Sequence, residues 1–420
     1  MGQEGVEEMV PLEDVQRTIL TSCAPLAPVE LRLGAALGHV LAADVHAPGD
    51  LPPFSNTAMD GYAVRADDTS GAPVELSVIG VLAAGTAPTR AVEAGTAIQI
   101  MTGAPIPPGA DGIAIVERTE PGASEGTVRV LDEVPRGAYI RLAGSDLRRG
   151  DLAVPAGAVI SPAHVALLAS VGATLVSVHP RPRVGVFSTG DELADAAAPL
   201  EPGQIRDSNR QGLLAALERD GFTGVDLGVR RDDEAEIVAA LRDGVERCDA
   251  LLTSGGVSMG EFDFVKVALE ALVAEAGGEI HQFKVAIKPA KPLSFAAVAT
   301  KGRTVPVFGL PGNPVSSMVS YQIVALPALR RLAGHRSPLP HQLPAVAVDD
   351  IERRPDGKLH LVRVVAAMGP DGRIVVRSAG AQGSHQLSAL VAANALALVP
   401  DGEGVGAGGA VQILLIGPLE

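Results

Sequence analysis

Asp249-Ala250-Leu251-Leu252-Thr253-Ser254-Gly255-Gly256-Val257-Ser258-Met259-Gly260-Glu261-Phe262-Asp263 decides how the rest of the chain is read. An apolar run over 249–253 reads as a buried strand, and 262–275 carries helical spacing. Three glycines and two serines join them. Outward from this unit the rhythm repeats. Val184 and Val186 begin a strand, and Ser208-x-x-Gln211 reads as a capping box opening a helix over Leu213–Arg219, closed by Gly221. Then come a strand at 225–229, a helix at 234–246, strands at 280–287 and 305–309, and a helix at 315–333. Such alternation implies parallel strands with helical crossovers, hence a doubly wound α/β domain over 181–335. Ligands of such domains sit beyond the carboxyl ends of the strands. The loops after 187, 230, 253 and 309 are therefore the places to look.

Elsewhere the pattern differs. Leu12, Val15, Ile19 and Leu20 have helical spacing behind Pro11, and Val29, Leu31 and Leu33 alternate before a corner at Leu51-Pro52-Pro53-Phe54. From 72 to 140 the period is two, as in Val74/Leu76/Val78, Ile98/Ile100, Ile113/Ile115 and Val128/Val130. We therefore expect a mixed domain from 1–50 plus 142–180, interrupted by a β domain at 51–141. The uncharged stretch from Val154 to Pro180 reads as buried core. Past the linker Ser337-Pro338-Leu339-Pro340, alternation at Leu359/Leu361/Arg363 and Ile374/Val376 predicts a C-terminal β-barrel domain over 336–420.

Bulk properties exclude several function classes. A chain of 420 residues exceeds one ordinary core. Its net charge of −15 and 3% aromatic content disfavour a nucleic-acid partner, which needs basic patches and stacking rings. Cys23 and Cys248 form no metal-ligand pattern, which suits a reducing compartment. The opening MGQEGVEEMV is acidic, without a signal-peptide layout, and Val6 stands where a myristoylation signal has Ser or Thr. The interrupted 154–180 stretch makes a poor membrane span. The expectation is a cytoplasmic protein with no membrane partner.

The chemistry concentrates on strand-end loops. In the 254–263 segment the backbone N–H groups of Gly255 and Gly256 converge on an anion site, with Ser254 and Ser258 as further donors. Asp263, in the first helical turn, is suited to a hard cation beside phosphates. In Val186-Phe187-Ser188-Thr189-Gly190-Asp191-Glu192-Leu193, Gly190 permits a tight turn and Ser188 and Thr189 offer hydroxyls; a helix start capped by Asp191 is an equal alternative. Val307-Phe308-Gly309-Leu310-Pro311-Gly312-Asn313-Pro314-Val315-Ser316-Ser317 repeats the theme, with a helix beginning near Pro314. Lys284, Lys288 and Lys291 lie together in an acidic chain, and Lys284 and Lys288 share strand parity, so both point to one face. Asp60 and Thr102, on Gly/Pro loops, are merely polar on physical grounds.

Taken together, SNTAMDGYAV, IMTGAPIP, STGDEL, SGGVSMGEFD, IKPAKP and GLPGNPVSS occur in an order that resembles the molybdopterin molybdenumtransferase family, which includes the bacterial MoeA proteins and the C-terminal domain of gephyrin. Gln382-Gly383-Ser384-His385 and Ala392-Ala393-Asn394 are similar to that family's ending. The resemblance implies a molybdopterin-binding α/β domain and an elongated homodimer with each active site near the dimer interface. It implies that molybdate and adenylylated molybdopterin are substrates, that Mg²⁺ assists hydrolysis, and that AMP is released. Asp60, Thr102, Glu192, Asp232 and Asp263 match the family's catalytic positions, with Glu192, Asp232 and Asp263 as metal ligands. Ser188, Thr189, Gly190, Ser254, Gly255, Gly256, Ser258, Lys284, Lys288, Lys291, Pro311, Gly312, Asn313, Pro314, Ser316 and Arg363 fall to substrate binding. A molybdopterin adenylyltransferase and recipient molybdoenzymes are the implied protein partners. Tyr139 and Ser145 depart from the family's Asn and Glu, while Arg141 and Asp146 persist. Two other readings stay open: the preceding adenylylation step, and a gephyrin-like scaffold, for which this chain lacks the extra N-terminal domain and linker.

Overall fold

The computed structural model describes residues 9–194, 199–256 and 264–419. They fall into two compact units, one formed by 30–37 and 43–176 and the other by the remainder. No helix among the described residues is long and apolar enough to cross a membrane.

The first helix, α1 (Leu12–Thr21), belongs to the larger unit and buries Leu12, Val15 and Ile19, the spacing the sequence displays. The smaller unit is built on six strands: β1 (Gly61–Val64), β2 (Val74–Leu82), β3 (Thr96–Ile100), β4 (Gly112–Ile115), β5 (Thr119–Pro121) and β6 (Thr127–Val130). They form one sheet ordered β4-β1-β3-β2-β6-β5. Period-two alternation gives it two buried faces: Ala63, Ile98, Ile100 and Ile113 on one, Val64, Leu76, Ala97 and Val128 on the other. The 154–180 stretch is less buried than its lack of charge suggests. Its helix, α2 (Pro162–Ser170), buries only Leu168, because Ala and Ser carry it past solvent without charge.

In the larger unit, the strands are β7 (Arg183–Thr189), β8 (Thr223–Arg230), β9 (Ala250–Ser254), β10 (Gly278–Lys284), β11 (Ile287–Lys288), β12 (Pro292–Thr300) and β13 (Arg303–Leu310). The helices are α3 (Asn209–Arg219), α4 (Glu234–Arg247), α5 (Phe264–Ala276), α6 (Pro314–Ser320) and α7 (Leu326–Leu332). The sheet order is β8-β7-β9-β13-β12-β10. Strands β8, β7, β9 and β13 are parallel, as expected, and β9 is buried at every residue because helices cover both faces. The other half departs from a purely parallel sheet. β12 runs antiparallel to both β13 and β10, so the region 278–310 is a meander rather than a helical crossover.

Two helix expectations change. Ser208 precedes α3 but its side chain makes no capping bond, so the capping box does not form. The predicted helix 315–333 is interrupted by a π turn over Tyr321–Ala325. Pro327 has no N–H to give the carbonyl of Ile323, and Gln16 Nε2 of α1 donates to that oxygen instead, at 2.7 Å.

The C-terminal strands β14 (Leu343–Ala347), β15 (Leu359–Met368), β16 (Ile374–Ser378), β17 (Ala395–Val399) and β18 (Ala410–Leu415) close into a five-stranded barrel. Its circuit is β15-β16-β14-β18-β17, with β17 returning to β15. Inward residues Val364, Ala366, Val376, Ala395, Ala397 and Ile413 fill it. Strand β11 adds to the rim of β15 in parallel, placing Lys288 opposite His360.

Candidate anion-binding active site

Three strand ends converge in the larger unit. β7 stops at Thr189, β9 at Ser254 and β13 at Leu310, and Gly255 N–H donates to the Leu310 carbonyl at 3.2 Å. Gly255 has φ +101°, and a Cβ there would lie 2.5 Å from the Thr189 carbonyl oxygen. Only glycine permits this approach. Gly256 is equally constrained, since its Cβ would meet Val265 at 2.6 Å. Asn209 Nδ2, at the start of α3, donates to Ser254 Oγ at 2.8 Å and to the Gly312 carbonyl at 2.7 Å. The Thr189 hydroxyl, buried beside these glycines, has no hydrogen-bond partner among the described residues. A buried hydroxyl without a partner costs free energy that a ligand oxygen would recover.

Not every predicted donor is free. Ser188 Oγ donates to Asp207 Oδ1 at 3.0 Å, inside the protein. At the predicted helix start, Val315 N–H donates to the Ser384 carbonyl and Ser317 N–H to the Asn313 carbonyl. Those backbone groups are therefore engaged by protein, while Asn313 and Ser316 line a cleft described below. Ser258 and Asp263 lie outside the described residues.

Glu192 and Asp232 come close enough to interact. Burial raises the Asp232 carboxyl above its ordinary value; an Asp191 backbone N–H opposes this, and the charges of Glu192 and Asp191 add to the rise. Arg231 Nε lies 3.6 Å from Asp191 Oδ1. Among the described residues no group of three or more His, Cys, Asp or Glu side chains is arranged around a metal position. The mutually repelling oxygen donors Glu192 and Asp232 nonetheless fit a hard cation in kind.

Against the barrel lies a cleft of about 1000 Å³, lined among others by Lys288, Lys291, Arg354, Lys358, His360 and Ser384. Lys288 and Lys291 stand apart from Lys284, which ends β10 and is absent from the described lining. The shared parity of Lys284 and Lys288 does not hold, because the chain turns at Val285, whose N–H donates to the Lys291 carbonyl at 2.7 Å. Ala290, between the two cleft lysines, has φ +77°, a conformation costly for a residue with a Cβ. Arg363 is fully buried in β15; its Nη2 donates to the carbonyls of Ala381 and Gly383, at 2.7 and 3.2 Å, beside the cleft. Its Nε and Nη1 have no partner among the described residues, and burial lowers its pKa.

The smaller unit unites Asp60 and Thr102. Asp60 Oδ1 accepts from Thr102 N–H at 2.6 Å and from its hydroxyl at 2.8 Å, and these bonds hold the exposed carboxyl below its ordinary value. The loop before Asp60 is held through backbone: Ala58 N–H donates to the Tyr139 carbonyl, and Ile140 and Arg141 pair with Thr57 and Asn56. A side-chain change at 139 leaves this support intact.

Asp207, Asn209 and Arg210 escaped the sequence reading. Arg210 Nε donates to Asp207 Oδ2 at 2.8 Å, and the guanidinium also pairs with Asp226. The only signal was a charged and amide-bearing run, Arg206-Asp207-Ser208-Asn209-Arg210, at a helix start.

Glycine loops at parallel strand ends, together with a cleft lined by lysines and arginines as well as Asp350, Glu352 and Asp356, define the class as a multidomain α/β protein with a candidate anion site. Comparison with known proteins narrows the class. Residues 10–172 match the MoeA N-terminal region (domain I and II), 185–331 a probable molybdopterin binding domain, and 346–416 the MoeA C-terminal region (domain IV). The molybdopterin molybdenumtransferase of Haemophilus influenzae is 37% identical over 386 residues, covering 91% of this chain and 92% of that one. Molybdopterin molybdenumtransferase 2 of Mycobacterium tuberculosis is 38% identical over 398 residues, covering 94% and 96%. The crystal structure of the molybdopterin biosynthesis MoeA protein from Pyrococcus horikoshii superposes with a TM-score of 0.79 at 29% identity, covering 97% of this chain and all of that one. The chain belongs to the molybdopterin molybdenumtransferase family.

Proposed function

We propose that this protein inserts molybdenum into adenylylated molybdopterin, with hydrolysis of the adenylate and release of AMP. The observation that carries the reading is the cleft lined by Lys288, Lys291, Arg354 and Lys358, backed by the Arg363 guanidinium, which is buried outside the lining behind Gly383 and has two nitrogens unpartnered among the described residues. An uncompensated buried cation is costly, and an oxyanion in the cleft supplies the missing charge. Molybdate and the phosphates of the pterin substrate are such oxyanions. The pterin supplies the sulfurs that take up the metal, so no protein thiolate is required.

In this reading the strand-end loops hold the substrate phosphates through the Thr189 hydroxyl and the Gly256 backbone, while the Gly255 N–H, bound to the Leu310 carbonyl, holds two of the loops together. The lysines hold the oxyanion, backed by Arg363. Glu192 and Asp232, with Asp263, would hold Mg²⁺, which when bound polarises the phosphoanhydride. Asp60, whose carboxyl Thr102 holds below its ordinary value, is in this reading a catalytic carboxylate supplied by the smaller unit. The working protein is a cytoplasmic homodimer that receives its substrate from a molybdopterin adenylyltransferase and passes its product to molybdoenzymes. The test is incubation with purified adenylylated molybdopterin, molybdate and Mg²⁺. Molybdate-dependent AMP release is expected, and pyrophosphate formation from ATP and molybdopterin would instead favour the adenylylation step.

A further inference from the structure

Residues 207–210 touch all three strand-end loops. Asp207 accepts from Ser188 at the end of β7, from Arg210 N–H at 3.2 Å and from Arg210 Nε at 2.8 Å. Both charged side chains are almost wholly enclosed, Asp207 at 2% exposure and Arg210 at 7%. That pairing fixes the start of α3 and so fixes Asn209. Its Nδ2 reaches the loop after β9 through Ser254 and the loop after β13 through Gly312.

The chemistry of this amide sets the direction of a proton. A backbone carbonyl only accepts, so the amide nitrogen, not its oxygen, must face Gly312. The second Nδ2 hydrogen then goes to Ser254 Oγ, which must act there as acceptor. The Ser254 proton has to point elsewhere. Its described alternatives, the Pro311 carbonyl and Ser317 Oγ, both lie at 3.4 Å, beyond the usual range for an O–H···O bond.

We propose that Asn209 is a positioning residue that turns the Ser254 hydroxyl into a committed donor for a phosphate oxygen of the substrate. The proposal rests on the pterin-phosphate reading above. Asn209 touches no substrate itself; it acts through Ser254. Replacing the amide by a carboxylate reverses the polarity, because a carboxylate accepts the Ser254 proton and withdraws it from the ligand.

The experiment titrates adenylylated molybdopterin onto the full chain, anaerobically, by pterin fluorescence. Wild type, Asn209→Asp, Asn209→Ala, Ser254→Ala and the Asn209→Asp/Ser254→Ala double variant are compared, with thermal midpoints on the same preparations. Asn209→Asp and Ser254→Ala should each bind about ten- to a hundredfold more weakly, the size of a lost bond to a charged group. The double variant should bind no more weakly than Ser254→Ala, since both changes remove one donor. Asn209→Ala, which frees the hydroxyl without reversing it, should lose less than Asn209→Asp. If Asn209→Asp does not fold, the Asn209→Ala and Ser254→Ala pair with their double variant carries the same test of non-additivity. Wild-type binding with unaffected Asn209 variants, or with losses that multiply in the double variant, overturns this inference alone. A wild-type protein that does not bind the probe overturns the pterin reading and this inference together.

Discussion

Asp60 and Thr102, 42 positions apart, share one carboxylate oxygen: Asp60 Oδ1 takes both the backbone N–H and the hydroxyl of Thr102. The backbone bond is the larger cause of the lowered carboxyl pKa, and the hydroxyl adds to it. Thr102→Ala keeps the first and removes the second. The Asp60 carboxyl should therefore titrate at higher pH in Thr102→Ala than in wild type, while staying ionised at neutrality. Carboxyl-carbon NMR titration measures this without any assay, and an unmoved Asp60 resonance would remove the hydroxyl from its control. AMP release should fall at least tenfold in Asp60→Asn.

Lys288 and Lys291 line the cleft, whereas Lys284 ends a different strand. Lys288→Ala and Lys291→Ala should each weaken binding of the pterin substrate about ten- to a hundredfold, as expected for charge-assisted contacts. Lys284→Ala should have the smaller effect. The salt dependence of binding should be shallower in the two cleft variants, because fewer charges remain to be screened. Fluorescence titration at two salt concentrations checks both points, and equal losses in all three variants would restore Lys284 to the site.

Strands β7 and β9 were legible because burial on both faces leaves an almost unbroken apolar run, and the glycines that follow mark where they stop. The antiparallel half was not. β12 begins at Pro292, inside a run of prolines and lysines that reads as loop, and nothing local distinguishes a meander from a crossover. The π turn escaped for a related reason, since its accommodation depends on Gln16, more than 300 positions away. Candidate loops were visible through their glycines and hydroxyls, but their partners were not. Ser188 looks like a ligand donor in sequence, and only the fold brings Asp207 to claim it. The pairing of Asp60 with Thr102 likewise needs β1 beside β3.

Family membership motivates a prediction about assembly. The protein should be a homodimer at micromolar concentration. Light scattering checks this directly, and a monomer mass across that range would count against the proposed assembly.

Asp356 stands beside the cleft and accepts from Arg353 at 2.9 Å, Lys358 at 3.1 Å and His360 at 3.2 Å. Burial alone would raise its carboxyl, but the bonds from His360 and Lys358 prevail and bring it down to about 2. A carboxylate depressed in the folded state stabilises above its unfolded value, near ~4, and that contribution is lost as pH falls toward the folded value. Asp356→Asn should cost on the order of 1–2 kcal/mol at neutral pH and little at pH near ~2, allowing for solvent screening. Urea midpoints by circular dichroism across that window decide it, and a pH-independent difference would mean that packing, not charge, is what Asp356 contributes.

Asp232 offers the sharpest separation of a metal role from a structural one. Its carboxyl is raised by burial and by the charges of Glu192 and Asp191, with one Asp191 N–H opposing. Without a cation these carboxylates repel one another, so Asp232→Asn should leave the thermal midpoint unchanged or slightly higher. With a cation they are ligands, and the same substitution removes charge from the metal position. Metal polarisation contributes several kcal/mol to such transition states, and each ~1.4 kcal/mol is tenfold in rate. AMP release should therefore fall at least a hundredfold and recover in part at high Mg²⁺. Mg²⁺ should also raise the wild-type midpoint, through ligand linkage, and raise that of Asp232→Asn less. Stability and turnover measured on one preparation distinguish the cases: normal turnover with a lower midpoint would make Asp232 structural, and normal turnover with an unchanged response to Mg²⁺ would remove it from the metal set.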